Sequence, residues 1–320
     1  IYYALLKDKK EFRAFFGFIG FRGTDISEEG LIRERFQVQI CEHADWGSII
    51  LKHPVELSYC LALINTNSRY SVTPPWVIKN YPAAERIMNL LRNRPCLEGC
   101  MYCNNALDIH KALKKFFGFE SYRRYGEQPL QEQAVQAAID NKSILSVFPT
   151  GGGKSITFQV PALMAGINEK GLTVIISPLQ SLMKDQVDAL RAAGAPAECI
   201  HSGMTLPERR EVDSALREGR TKLLYVSPER LVQDQFIQYV RALGVSFIAI
   251  DEAHCISHWG HDFRPEYRQL RLLRDAFPNA ALHAFTATAT PQVRDDIAQQ
   301  LAMRNPHVIV GSFDRPNLMY

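Results

Sequence analysis

The run Phe148-Pro-Thr-Gly-Gly-Gly-Lys-Ser155 holds the residue types that cradle a phosphate chain. Three successive glycines let the backbone curl until neighbouring N–H groups point at one place. A helix starting at Lys154 would add the partial positive charge of its N-terminus there. Lys154 could then reach the β- and γ-phosphates of ATP, and Ser155 would offer a hydroxyl oxygen to Mg²⁺. Thr150, Gly151, Gly152 and Gly153 line the cradle, although the generic pattern has glycine where this chain has Phe148. Well downstream, the apolar run Phe247–Ile250 ends in Asp251-Glu252-Ala253-His254. A carboxylate at a strand end beside a phosphate turn suits Asp251 to Mg²⁺, with Ser155 as its companion ligand. Glu252 is placed to orient the attacking water, and His254 to link this site to the rest of the molecule.

These groups need a frame that brings two distant segments together. From about Lys115 onward the pattern is regular. Leu130–Ile139 reads as a helix and Ser143–Phe148 as a strand. The turn Pro149–Gly153 follows, with a helix from Lys154. Leu172–Ile176 reads as a strand and Leu179–Ala192 as a helix, with further strands at Leu223–Val226, Phe247–Ile250, Ala281–Phe285 and His307–Val310. Apolar strands alternating with helices predict a parallel α/β sheet covered on both faces.

Several segments resemble the RecQ-type helicases, superfamily 2 motors with a DEAH box. The most specific is the aromatic-rich stretch Cys255-Ile-Ser-His-Trp-Gly-His-Asp-Phe-Arg-Pro-Glu-Tyr267; it departs from the family at His258, where Gln or Glu is usual. Ile176–Val187, Tyr225–Leu231, Ala284–Thr290 and Phe313–Asn317 resemble the further motor motifs of the family. Phe117-Gly-Phe119 and Gln131 resemble its adenine-reading motif, although Arg123 and Gln131 stand farther apart than usual. The resemblance covers roughly residues 117–320. It implies a RecA-like first motor domain, ATP and Mg²⁺ as cofactors, and 3′-to-5′ movement on single-stranded or forked DNA. It also implies a second motor domain C-terminal to this chain, which supplies charge-stabilising arginines; without it the chain alone should not unwind DNA. By resemblance, Ser177, Gln180, Ser181 and Ser227 are candidate backbone-phosphate contacts. Trp259, His261, Phe263 and Arg264 are candidate base-stacking and phosphate contacts. An RNA helicase, or an ATP-gated nucleic-acid-binding module without unwinding, are the alternatives.

The first 115 residues resemble no such family and read as a smaller, mixed α+β accessory domain before a motor domain at 116–320. Ala83–Leu91 looks helical, and Thr73-Pro74-Pro75 marks a break. Cys96, Cys100 and Cys103, with His110 nearby, have a spacing that could hold zinc or an iron–sulfur cluster, Cys41 or Cys60 being other fourth ligands. A C-x3-C-x2-C run also resembles radical S-adenosylmethionine enzymes, but here it lies too close to the motor region to follow the first strand of a barrel.

Seven cysteines, an odd number spread along the chain, argue against a disulfide framework and for a reducing, cytoplasmic setting; association with a bacterial nucleoid is what the helicase resemblance implies. No run of apolar residues is long enough to span a bilayer. Residues 1–116 hold 16 basic and 12 acidic side chains and the remainder 21 and 22, so neither part binds duplex DNA by bulk charge alone. Because it begins at Ile1, the chain is expected to be a fragment.

Overall fold

The structure is a computed structural model that describes residues 46–64, 75–92, 104–105, 107–168, 172–277, 280–303 and 305–311. The described strands are β1 (Ile144–Val147), β2 (Leu172–Ile176), β3 (Ala197–Ile200), β4 (Leu223–Val226), β5 (Val245–Ile250), β6 (Ala281–Thr286) and β7 (His307–Val310). Helices of six residues or longer are α1 (Trp46–Lys52), α2 (Pro54–Ile64), α3 (Pro75–Asn80), α4 (Ala83–Arg92), α5 (Ile109–Phe117) and α6 (Leu130–Ile139). They continue with α7 (Lys154–Asn168), α8 (Gln180–Ala192), α9 (Leu206–Arg217), α10 (Asp234–Ala242) and α11 (Pro291–Gln300).

The strands form one parallel sheet in the order β3-β4-β2-β5-β6-β1-β7. Alternate residues of each central strand feed opposite cores, as the period-2 pleat requires. Val174, Ile176, Leu224, Val226, Ile248 and Ile250 face one core, completed by Val212 and Leu216 of α9, Phe236 and Val240 of α10, and Ile297 of α11. Ile175, Leu223, Tyr225, Phe247 and Phe285 face the other, against Phe158 and Leu163 of α7 and Met183 and Val187 of α8. Burial on both faces explains why these strands read as unbroken apolar runs.

The expected α/β sheet is therefore present, together with the edge strand β3 and helices α9, α10 and α11, to which the sequence pattern assigned no element. The start of α9 was nevertheless written in the sequence: Thr205 and Glu208 close a capping box, each side chain meeting the other's backbone N–H. Ahead of the sheet, α5 is capped by Asp108, which accepts from Lys111 N at 2.9 Å, and is stopped by Gly118 in the left-handed region at φ 70°. Its buried face (Ile109, Ala112, Leu113) packs with Val135 of α6 and Val160 and Met164 of α7.

The described residues before Asp108 form helices only. The short apolar runs Gly47–Leu51 and Tyr59–Ile64 lie in α1 and α2, and Ala83–Leu91 lies in α4, as its helical pattern led one to expect. Pro75 opens α3, where its missing N–H costs nothing. Cys60 is buried and donates to Ala84 O at 3.3 Å. Cys41, Cys96, Cys100, Cys103 and the segment Phe313–Asn317 lie outside the described residues. Among the described residues no helix is long and apolar enough to cross a membrane.

One buried ionisable group ties the sheet to pH. His283 on β6 has no solvent exposure and stacks on the Phe247 ring at 4.7 Å. Burial pushes its pKa from an ordinary 6.5 down to about 3. A depressed histidine pKa contributes stability that is present above 6.5 and is lost as pH falls below it. Between pH 7 and 5 this site should cost the fold about 2 kcal/mol. Urea unfolding at the two pH values checks it: His283→Leu should flatten the acid loss, and equal losses in both proteins would refute the assignment.

Candidate functional site

The C-terminal ends of β1, β6 and β5 lie side by side, because β6 runs between the other two. This is where ligands bind in open parallel sheets. Beyond β1, Phe148 is buried and its N–H donates to Thr286 O at 3.0 Å. The phosphate turn follows, with Gly151 and Gly153 both at φ 77°, a region side chains rarely adopt. At Gly153 a Cβ would also come within 2.6 Å of Gln131 Nε2, and at Gly152 within 2.6 Å of Tyr125 Oη. The turn thus needs glycine twice over, for its dihedral angles and for the side chains pressed against it.

Gln131 is nearly fully buried and reads the turn directly: its Nε2 donates to Gly153 O at 2.9 Å while its Oε1 accepts from Arg123 N at 2.8 Å. Arg123 Nη1 donates to Gly151 O at 2.7 Å. Thr150 is exposed at the rim and Ser155 is half-buried in the first turn of α7.

Lys154 Nζ lies 3.1 Å from Glu252 Oε1, joining the phosphate turn to the end of β5. Asp251 is buried; its backbone N–H donates to Ile176 O at 2.8 Å, its Oδ1 accepts from Glu252 N at 3.0 Å, and Tyr267 Oη donates to its carbonyl at 3.0 Å. Burial raises its pKa to about 6, against the pull of Lys154. Burial opposes ionisation of Glu252 as well. There the hydrogen bond with His254 and the Lys154 charge prevail and hold the pKa down at about 2. Glu252 sits in the left-handed region at φ 48°, a conformation that costs a non-glycine residue of order 1 kcal/mol.

His254 is buried and central. Its Nδ1 lies 2.8 Å from Thr286 Oγ1 and 3.3 Å from Glu252 Oε2, and its ring stacks on His261 at 4.1 Å. Thr286 Oγ1 donates to Thr288 O at 3.1 Å, and Thr288 Oγ1 lies 3.3 Å from His261 Nδ1. A continuous polar path therefore runs from Glu252 through His254, Thr286 and Thr288 to the aromatic-rich stretch. Sequence reasoning placed His254 and His261 in this region; it did not single out Thr286 or Thr288.

The other expected nucleic-acid contacts divide into two sets. Trp259 is 68% exposed, and Gln180 and Ser181 are exposed at the start of α8, with Gln180 Nε2 donating to Ser202 Oγ at 3.0 Å. Ser177 and Ser227 are buried at the ends of β2 and β4. Phe263 is half-buried against the His258 ring at 3.9 Å, and Arg268 stands 5.8 Å from its centroid. Arg264 pairs with Asp262 at 3.0 Å and reaches Pro178 O at 3.3 Å, tying the aromatic-rich stretch to the segment after β2.

His110, expected among the metal ligands, is exposed and meets Glu132 Oε1 at 3.1 Å. Among the described residues no group of three or more His, Cys, Asp and Glu side chains could hold a metal ion. For Mg²⁺ the donors near the phosphate turn fit: a buried carboxylate, Asp251, and a helix-terminal hydroxyl, Ser155, are hard oxygen ligands.

Comparison with known proteins agrees with the geometry. The DEAD/DEAH box helicase family model matches residues 128–297. The chain is 48% identical over 215 residues to the ATP-dependent DNA helicase RecQ of Pasteurella multocida, covering 67% of this chain and 32% of that protein. It is 49% identical over 208 residues to the protein of the same name from Haemophilus influenzae, covering 65% and 32%. It spans about a third of the length of these relatives. Among solved structures, the DUF1998 helicase MrfA superimposes with a TM-score of 0.50 at 18% identity, covering 63% of this chain and 32% of that one, which supports the fold. With the matched segment taking in more than half of its length, the chain belongs to the DEAD/DEAH box helicase family, and its motor region is similar to that of the RecQ helicases.

Proposed function

We propose that this chain is the first motor domain of a RecQ-type ATP-dependent DNA helicase, preceded by an accessory region at residues 1–115. The observation that carries this reading is the unbroken path from Lys154 and Glu252 through His254 and Thr286 to His261. It connects a phosphate site to an aromatic stretch suited to stacking bases.

In this reading Lys154 bears on the β- and γ-phosphates, the turn 150–153 wraps them, and Gln131 and Arg123 hold that turn in shape. Ser155 and Asp251 hold Mg²⁺, which when bound supplies charge neutralisation across the phosphates. Glu252, ionised by its partners, orients the attacking water. Displacing Lys154 from Glu252 onto a phosphate changes the load on His254, and the stacked His261 passes that change to Trp259, Phe263 and Arg264. Gln180 and Ser181, exposed at the start of α8, are placed to meet a DNA backbone, whereas Ser177 and Ser227 are buried at the ends of β2 and β4 and support that surface from beneath. Arginines from a second motor domain would complete the charge stabilisation around the phosphoryl group. Unwinding proceeds 3′ to 5′ from single-stranded or forked DNA, in the cytoplasm. Cys96, Cys100 and Cys103 are the candidate set for zinc or an iron–sulfur cluster, with His110, Cys41 or Cys60 as the fourth ligand.

The test is the ATPase rate of the protein at its full natural length, with single-stranded DNA, with RNA and with neither. Stimulation by DNA of about tenfold or more supports the reading. Stimulation by RNA alone would make it an RNA motor, and none at all an ATP-gated binding module.

A further inference from the structure

Three successive carbonyls of the phosphate turn each accept a hydrogen bond from one short upstream segment. Gly151 O accepts from Arg123, Gly152 O from the Tyr125 hydroxyl, and Gly153 O from Gln131. Tyr125 belongs to the stretch between Arg123 and Gln131 that is longer here than the family pattern leads one to expect. That stretch folds into a tight turn. Tyr125 N donates to Gln128 O at 2.9 Å, Gln128 N returns to Tyr125 O at 3.2 Å, and Gly126 supplies φ 60°. The Tyr125 ring lies flat on Phe148, with centroids 5.0 Å apart and planes 13° apart. Phe148 occupies the position where the generic phosphate turn has glycine. Gly311, just after β7, closes the far side: a Cβ there would meet Phe148 at 3.1 Å and Tyr125 at 3.2 Å.

In a trans peptide the C=O and the following N–H point in opposite directions. Fixing a carbonyl from behind therefore aims the next N–H forward. The Gly152 N–H is already used within the turn, donating to Pro149 O at 2.8 Å. The peptide that Tyr125 holds, Gly152–Gly153, aims the N–H of Gly153; the one that Gln131 holds aims that of Lys154. We propose that Tyr125 is a positioning residue that sets the Gly152–Gly153 peptide for phosphate binding, with Phe148 as the platform that holds its ring. This rests on the reading of the turn as a nucleotide triphosphate site. Burial pushes the Tyr125 hydroxyl up to about 12, so it remains a donor throughout the working pH range.

Tyr125→Phe keeps the ring on Phe148 and removes only the donor. The measurement is the affinity of the full chain and of this variant for ATP and for AMP, by calorimetry and displacement, with thermal unfolding alongside. ATP affinity should fall about fivefold, the effect of one neutral hydrogen bond. AMP, which lacks the β- and γ-phosphates, should change less than twofold, and the unfolding midpoint should fall by only about 2–4 °C, the share of one internal hydrogen bond. Equal losses for ATP and AMP, or unchanged ATP affinity, would overturn the positioning role while leaving the nucleotide site standing. If the unaltered chain binds no ATP, the nucleotide reading falls as well. Tyr125→Trp also keeps an aromatic ring on Phe148 but not the donor geometry and should bind ATP as weakly as Tyr125→Phe; binding as tight as in the unaltered chain would also count against the hydroxyl.

Discussion

Lys154→Ala should bring ATP hydrolysis by the full-length protein, with single-stranded DNA present, down by a factor of the order of 10²–10³. Two effects combine. The ammonium is the cation placed where phosphate charge would collect, at the N-terminus of α7 and 3.1 Å from Glu252. It is also the positive charge that works against the burial of Asp251 and for the ionisation of Glu252. Without it, both carboxyls shift toward their neutral forms, and Asp251 loses value as an oxygen ligand for Mg²⁺. The loss should appear in ATP affinity as well as in turnover. Affinity for single-stranded DNA without nucleotide should hold within about twofold, because Trp259, Gln180 and Ser181 do not touch Lys154. A variant that hydrolyses ATP at more than a tenth of the normal rate would remove Lys154 from the proposed chemistry.

Glu252→Gln separates binding from hydrolysis. The substitution keeps the shape and removes the charge that orients water, so turnover should drop by roughly 10²–10⁴, the usual contribution of a positioned base. Unlike the lysine variant, it should bind ATP at least as tightly as the unaltered protein, since Lys154 is released from its ion pair. The strained backbone at Glu252, φ 48°, is unchanged by Gln, so stability should move little. Single-turnover kinetics with labelled ATP resolve the two steps. Weakened ATP binding with near-normal hydrolysis would reverse the roles assigned to Lys154 and Glu252.

Contiguity decided what the sequence could show. Pro149–Ser155 and Asp251–His254 each carry their chemistry within one short segment, so residue types alone identified them. The strands of the sheet were legible because burial on both faces leaves a continuous apolar run, as in β2 and β4. β3, half-exposed at the sheet edge, has no such run and escaped notice. The resemblance to a helicase family named the aromatic-rich stretch but not its wiring.

What only the tertiary structure decided are contacts between residues far apart in the chain. Lateral strand order puts β6 between β1 and β5, so that Thr286 meets His254. The turn after Arg123 delivers Tyr125 to Gly152. Ser177 and Ser227, alike as hydroxyl residues in the sequence, are withdrawn into the ends of β2 and β4, while Trp259 projects outward. Such pairings follow from sheet topology and from the packing of non-local surfaces. Neither residue of a pair carries a local mark of the other, and so the composition and spacing of one segment could not announce them.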